Sequence, residues 1–196
     1  HLALGAVTLG LGGLPRSLPA EEGGGRGRPP NLLFFTVDDM DFHSLNATGC
    51  SIPGLTPHLD RLLGEGVTFL QGHVGAAVCQ PSRATMLTGR YPHRNGVTGF
   101  NPINDDCPML PEILHQAGYL NGILSKEMHV APAARCHWSQ CWTQKEAKSR
   151  DPAAFAMQSR AFFTKAAESR KPFFLMANTN APHRPFQAGL DRFAMD

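Results

Sequence analysis

Cys79-Gln80-Pro81-Ser82-Arg83, continued by Ala84-Thr85-Met86-Leu87-Thr88-Gly89-Arg90, carries the most pointed chemistry in the chain. It holds a thiol, a proline two residues on and a fixed cation four residues on. Pro81 and Ser82 suit the first turn of a helix, Ala84 to Leu87 continue it, and Gly89 stops it. That pattern places Cys79 just before a helix N-terminus, where backbone N–H groups and the dipole favour negative charge. Arg83 falls one turn along and adds a cation to the same end. The spacing therefore describes a nucleophile beside an anion site.

Four further groups have the same character. Asp38 and Asp39 are adjacent hard oxygen donors, suited to Ca²⁺ or Mg²⁺. Lys126 supplies a fixed positive charge, and His129 and His183 titrate near neutral pH.

The elements that must carry these groups can be read from the apolar runs. Asn31 to Val37, Val67 to Val74, Tyr119 to Leu124 and Pro172 to Ala177 are predicted strands, and the first is apolar enough to be buried on both faces. A helix is predicted from Pro57 with Thr56 as its N-cap, a stripe of Leu59, Leu62 and Leu63, and a stop at Gly64 and Gly66. Pro111 to Ala117 and Ala153 to Glu168 are the other predicted helices, the second with Phe155, Phe162 and Phe163 free to pack. Alternation of strand and helix predicts an α/β three-layer sandwich with a largely parallel sheet. Asp38 and Asp39, Cys79, Lys126 with His129, and His183 each follow a predicted strand. Ligands of open α/β sheets bind outside the carboxyl ends of the strands, so these residues are expected to form one site.

Cys-x-Pro-Ser-Arg followed by Leu-Thr-Gly-Arg resembles the signature of the type I sulfatases, in the alkaline phosphatase superfamily. Pro30-Asn31, a hydrophobic strand and Asp38-Asp39 are similar to the family's first metal motif. Pro182-His183-Arg184-Pro185-Phe186 is similar to its Pro-His-x-Pro-Phe. The resemblance runs from about Pro30 to Phe186 and implies an alkaline phosphatase-like fold. It implies that a formylglycine-generating enzyme converts Cys79 to formylglycine, and that Asp38, Asp39 and residue 79 hold one Ca²⁺. The hydrated aldehyde then attacks sulfur, the alcohol leaves, and the second hydroxyl expels sulfate. Arg83, Lys126 and His129 steady the gem-diol, and His183 serves the sulfate and the leaving group. Many members read Gly-Lys-x-His where this chain has Ser125-Lys126-Glu127-Met128-His129, so the role of His129 is less fixed than that of Lys126. Lys-x-x-His occurs in iduronate-2-sulfatase-like members, and His129-Val130-x-Pro132 resembles sulfamidase-like ones. The implied substrate is a sulfated glycan or an aryl sulfate, as ester or sulfamate. The competing readings are a phosphonate or phosphodiester hydrolase of the same superfamily, and an inactive sulfatase-like protein that only binds sulfated glycans.

Composition is consistent with that expectation. A chain of 196 residues, 42% hydrophobic and 17% charged, can bury a core, and a net charge of +2 gives no argument for nucleic acid. Residues 1–20 resemble a partial signal peptide, 21–30 a Gly/Arg/Pro linker, and 31–196 the N-terminal part of a sulfatase catalytic domain. The leader is too short and glycine-rich for a stable membrane span, and an exported location, secreted, periplasmic or lysosomal, is expected. The family's later Asp-Asn metal motif and later lysine have no match after Phe186, so the segment is expected to be inactive alone. If Cys79 is modified, four cysteines remain, and Cys136–Cys141 with Cys50–Cys107 is a pairing compatible with export. Asn46-Ala47-Thr48 is a glycosylation sequon.

Overall fold

A computed structural model describes residues 27–184. The leader, most of the linker and the Pro185-Phe186 end of the histidine motif lie outside the described residues. Four strands form the sheet: β1 (Leu32–Asp38), β2 (Leu120–Leu124), β3 (Trp138–Trp142) and β4 (Phe173–Pro182). The helices are α1 (Pro57–Glu65), α2 (Cys79–Thr88), α3 (Pro92–Asn95), α4 (Leu110–Gln116), α5 (Gln144–Ala147) and α6 (Pro152–Ser169). The strand order is β1-β4-β2-β3 and every pairing is parallel.

The core has two halves, one on each face of the sheet. Phe174 and Met176 of β4 point to one face, with Ala84 and Leu87 of α2, Leu114 of α4 and Ile123 of β2. Leu175 and Ala177 point to the other, against Phe162 and Ala166 of α6 and Leu124. This alternation of buried residues is what a strand covered on both sides requires, and it makes the three-layer α/β arrangement the sequence predicts. Gly122 belongs to that packing. A Cβ there would lie within 2.2 Å of the Phe162 ring, so α6 sits where only glycine leaves room.

Several expectations change in the structure. Val67 to Val74 forms no strand; among the described residues nothing pairs with it, and Val67 and Phe69 are each 82% exposed. A strand needs a backbone partner, which composition alone does not reveal. Conversely, β3 was not predicted, because its Ser139 and Gln140 interrupt the apolar pattern. The edges of the described sheet are therefore β1 and β3, and β4 is interior. Thr56 occupies the N-cap of α1 without capping it; its hydroxyl donates to Asp60 instead.

All five cysteines are free thiols, so neither expected disulfide is present. Cys107 and Cys136 are wholly buried in one core, while Cys141 is exposed on β3. Burial raises the Cys136 thiol to about 12, which keeps it protonated and unreactive. The Asn46 side chain of the sequon is committed at both ends. Its amide nitrogen donates to Cys50 O and Ile52 O, and its oxygen accepts from Leu55 N and Thr56 N.

Candidate active site

The carboxyl ends of β1, β2 and β4 converge on one edge, and α2 points its first turn at it. Cys79 is the first residue of α2, after Val78 at the N-cap, rather than the residue before the helix. The irregular segment before α2, not a strand, delivers it there. Gly89 ends the helix in the left-handed region at φ 63° and donates its N–H to Thr85 O, as the sequence predicts.

Arg83 lies one turn along α2 and is 4% exposed. Its Nη1 donates to Thr36 Oγ1 at 3.1 Å and to Asn178 Oδ1, and its Nη2 lies 3.8 Å from Asp38 Oδ1. Its Nε is buried with no hydrogen-bond partner among the described residues. Lys126, just past β2 in the left-handed region, is 5% exposed and pairs with Asp38 Oδ2. One buried carboxylate thus faces two buried cations. Burial lowers the Arg83 pKa from its ordinary value, with Asp38 and Cys79 pulling the other way, and guanidinium stays charged. A buried excess of positive charge is costly unless an anion completes it.

Asp39 stands at φ 60° and is exposed, with His183 Nε2 3.7 Å from its Oδ2. The His183 backbone N–H donates to Asn180 O at 2.9 Å, which ties this turn to the end of β4. His129 closes the short 3₁₀ turn Glu127–His129, and its ring meets Phe100 with centroids 5.9 Å apart. Its Nδ1 is buried without a hydrogen-bond partner among the described residues. Burial, then Lys126 and Arg83, lower its pKa, so near pH 7 it presents a neutral ring. A cavity of ≈ 400 Å³ opens between Asp38, Asp39, Cys79, Ser82 and Arg83. Every residue singled out in the sequence is thus placed along this edge.

Two residues were missed. Asn178 of β4 is fully buried and accepts from both Arg83 and Thr36 Oγ1, the latter at 2.6 Å. Its Nδ2 donates to Leu124 O, Ser125 O and Met176 O at 3.0, 2.9 and 3.2 Å. Thr36 and Asn178 therefore fix the guanidinium to the strands that carry Asp38 and Lys126. The signal available was a polar residue continuing an apolar strand run.

The donor set suits a hard cation in part. Asp38 and Asp39 line the cavity beside Cys79, and carboxylate oxygen is the right donor type. Ca²⁺ takes about six to eight oxygens, and the described residues contain no group of three acidic, histidine or cysteine residues placed to hold a metal. The pair fits part of a calcium shell.

The family model described as Sulfatase matches residues 30–193. Human Arylsulfatase G is 40% identical over 109 residues, which is 52% of this chain and 20% of that protein. N-acetylglucosamine-6-O-sulfatase of Bacteroides thetaiotaomicron is 32% identical over 175 residues, 79% of this chain and 31% of that one. Human N-sulphoglucosamine sulphohydrolase is 32% identical over 170 residues, 81% and 33%. This chain spans between 20% and 33% of the length of these relatives. Among solved structures, a protein in complex with its substrate D-glucosamine-2-N,6-O-disulfate superposes with a TM-score of 0.67 at 26% identity, covering 81% of this chain and 35% of that one. A phosphonate monoester hydrolase of Agrobacterium radiobacter superposes at 0.64 and 20% identity, covering 84% and 44%, a likeness of fold.

Proposed function

The chain belongs to the sulfatase family, and from that premise we propose that the protein hydrolyses sulfate esters, or sulfamates, on glycans in an exported compartment, with formylglycine made from Cys79 and a Ca²⁺ ion. The observation that carries the reading is the cluster at the head of α2. Cys79 lines a cavity with the Arg83 guanidinium one turn on, and a second buried cation, Lys126, shares the Asp38 carboxylate. That excess positive charge suits an anionic ester, whose charge is spread over the oxygens of its sulfate.

The two groups, when present, supply a hydrated aldehyde as nucleophile toward sulfur and positive charge against the sulfate oxygens. Asp38 and Asp39 are the residues that would hold the ion. The remaining work falls to side chains of this chain. Arg83 brings its fixed charge to the wall of the cavity while Nη1 is tied to Thr36 and Asn178. Lys126 holds Asp38 in place and contributes fixed charge. His129, whose pKa is lowered by burial and by Lys126 and Arg83, adds a neutral ring rather than a further charge. His183 keeps one ring nitrogen near Asp39 and the other against the Arg184 carbonyl, and it is exposed enough to meet a leaving oxygen and protonate it.

The test uses the full-length protein made with a formylglycine-generating enzyme. The tryptic peptide Leu62 to Arg83 should carry a hydrazide-reactive aldehyde, and the protein should hydrolyse an aryl sulfate in calcium faster than the matching phosphonate ester. Only unmodified thiol, with a known sulfatase modified alongside, would sink the formylglycine assignment. Preference for the phosphonate ester would favour the fold relative from Agrobacterium as the functional guide.

A further inference from the structure

A second cavity, of ≈ 540 Å³, opens at the carboxyl edge of the sheet on the α5–α6 side, walled by Lys145, Lys148, Ser149, Arg150, Asp151 and Asn180 with Gln144. It is joined to the candidate active site by hydrogen bonds. Ser149 Oγ lies 3.3 Å from the oxygen of Ser125, the residue before Lys126. Arg150 Nη2 donates to His183 O at 2.7 Å. Thr179 Oγ1 donates to Ser149 O at 2.9 Å, which anchors the turn to β4. The two cavities therefore lie at the ends of neighbouring strands, β1 and β4.

Its charge is lopsided. Three cations line it against one carboxylate, and that carboxylate, Asp151, is turned onto the N–H groups of Ala153 and Ala154 at the head of α6. The neighbouring acids are also committed to backbone: Glu146 caps Thr143 N, and Glu127 accepts from Gln144 N. Lys145 and Lys148 are exposed and, among the described residues, neither side chain takes part in a hydrogen bond or an ion pair. An independent observation points to a polar ligand. Asn180 is 4% exposed, lines this cavity, and has a buried Oδ1 with no hydrogen-bond partner among the described residues. A buried amide left unsatisfied is costly, a cost that a hydroxyl-bearing ligand reaching it would relieve.

We propose that this cavity is a second anion subsite, taking a carboxylate or a further sulfate of the same saccharide whose scissile sulfate lies at Arg83 and Lys126. Lys145 and Lys148 pair with the anionic group, and Asn180 meets a sugar hydroxyl. The Arg150 bond to the His183 carbonyl couples the subsite to the turn that carries His183. This rests on the sulfated-glycan reading above and narrows it to saccharides bearing at least two negative groups.

Binding to the full-length protein carrying Cys79→Ser reads the subsite without turnover. The probes for calorimetric titration are a monosulfated hexosamine, the same sugar with a second sulfate, and the same sugar joined to a hexuronate. At least one dianionic probe should bind about tenfold more tightly than the monoanionic one, and which one does identifies the group preferred. Lys145→Ala with Lys148→Ala should shrink that advantage to less than about twofold, and the matching double arginine variant should retain it. Equal affinity for all three probes, absence of binding, or an advantage that survives the double alanine variant would overturn the subsite. The sulfatase reading fails separately, if formylglycine-bearing wild type does not hydrolyse aryl sulfate, whatever the titration gives.

Discussion

The placement of one guanidinium depends on a fully buried amide, that of Asn178. Arg83 reaches the edge of the sheet only because Thr36 and Asn178 hold its Nη1, and Asn178 in turn grips the backbone of Leu124 and Ser125. Removing that amide frees the guanidinium and leaves buried carbonyls unpaired. Asn178→Ala in the full-length, formylglycine-bearing protein should lower kcat/KM for an aryl sulfate by about 10–100-fold, mostly in kcat, because a cation displaced by a fraction of an ångström stabilises the transition state less. Asn178→Asp keeps an acceptor for Arg83 but adds a buried negative charge beside the proposed sulfate site, so its loss should fall more on KM. That split between the two variants is the readout a purely structural role would not produce. Wild-type kinetics per folded molecule in both would show that Arg83 needs no such support. The chemical residues were legible in the sequence because each stands out after an apolar run: Asp38 after Val37, Lys126 after Leu124, His183 after the Pro172 to Ala177 run. Asn178 was not, since it extends the β4 run itself, where a polar residue reads as the end of a strand.

Between elements, the clearest device is the clamp that joins α4 to the turn before β3. Arg135 Nε and Nη2 meet Glu112 Oε1 and Oε2 at 2.7 and 2.8 Å, and Nη2 also donates to Cys107 O. The same carboxylate accepts from Met109 N at 2.9 Å, at the N-cap of α4. The Arg135 hydrogen bond holds the Glu112 pKa below its ordinary value, against the opposing effect of burial. A carboxylate lowered on folding contributes stability that is fully present above its unfolded pKa, about 4.3, and is lost as pH falls through the folded value. Glu112→Gln should therefore lower stability by about 1–2 kcal/mol at neutral pH. The gap to wild type should close in acid below the unfolded carboxyl range, as denaturant midpoints measured across pH would show. A gap of constant size down to the acid limit would mean that the clamp acts through shape and not charge. The elements themselves divide by the same logic. β1, β2, β4 and α6 were legible because each is an apolar or helix-forming run bounded by Pro, Gly or Asp. β3 was hidden because an edge strand needs only part of its residues buried, and Trp138, Gln140 and Trp142 supply that alternation without a continuous run.

At the scale of the whole molecule, what decides local order is whether a backbone has a partner. β4 has one on each side, β1 and β2, and its Phe174 to Ala177 segment is buried on both faces. Val67 to Val74 has the composition of a strand and none of that support. Val67 and Phe69 are each 82% exposed, and Leu70 and Val74 are each 67% exposed. The same segment walls an open apolar cavity of ≈ 650 Å³ with Phe42, Leu45, Leu62 and Leu63, and α1 beside it has no buried residue. Exposed backbone with few buried contacts opens at low free energy, whereas a central strand opens only with most of the fold. In the 196-residue chain, hydrogen exchange read by mass spectrometry should therefore show peptides across 67–74 exchanging at close to the unfolded rate. Peptides across 173–178 should be slower by orders of magnitude, on the order of the global unfolding limit. The same contrast should appear between α1 and the α2 helix that carries Cys79 and Arg83, since α2 buries Ala84, Arg83 and Leu87 while α1 buries nothing. Protection of 67–74 equal to that of β4 would refute the argument and require a pairing partner for that segment outside the described residues.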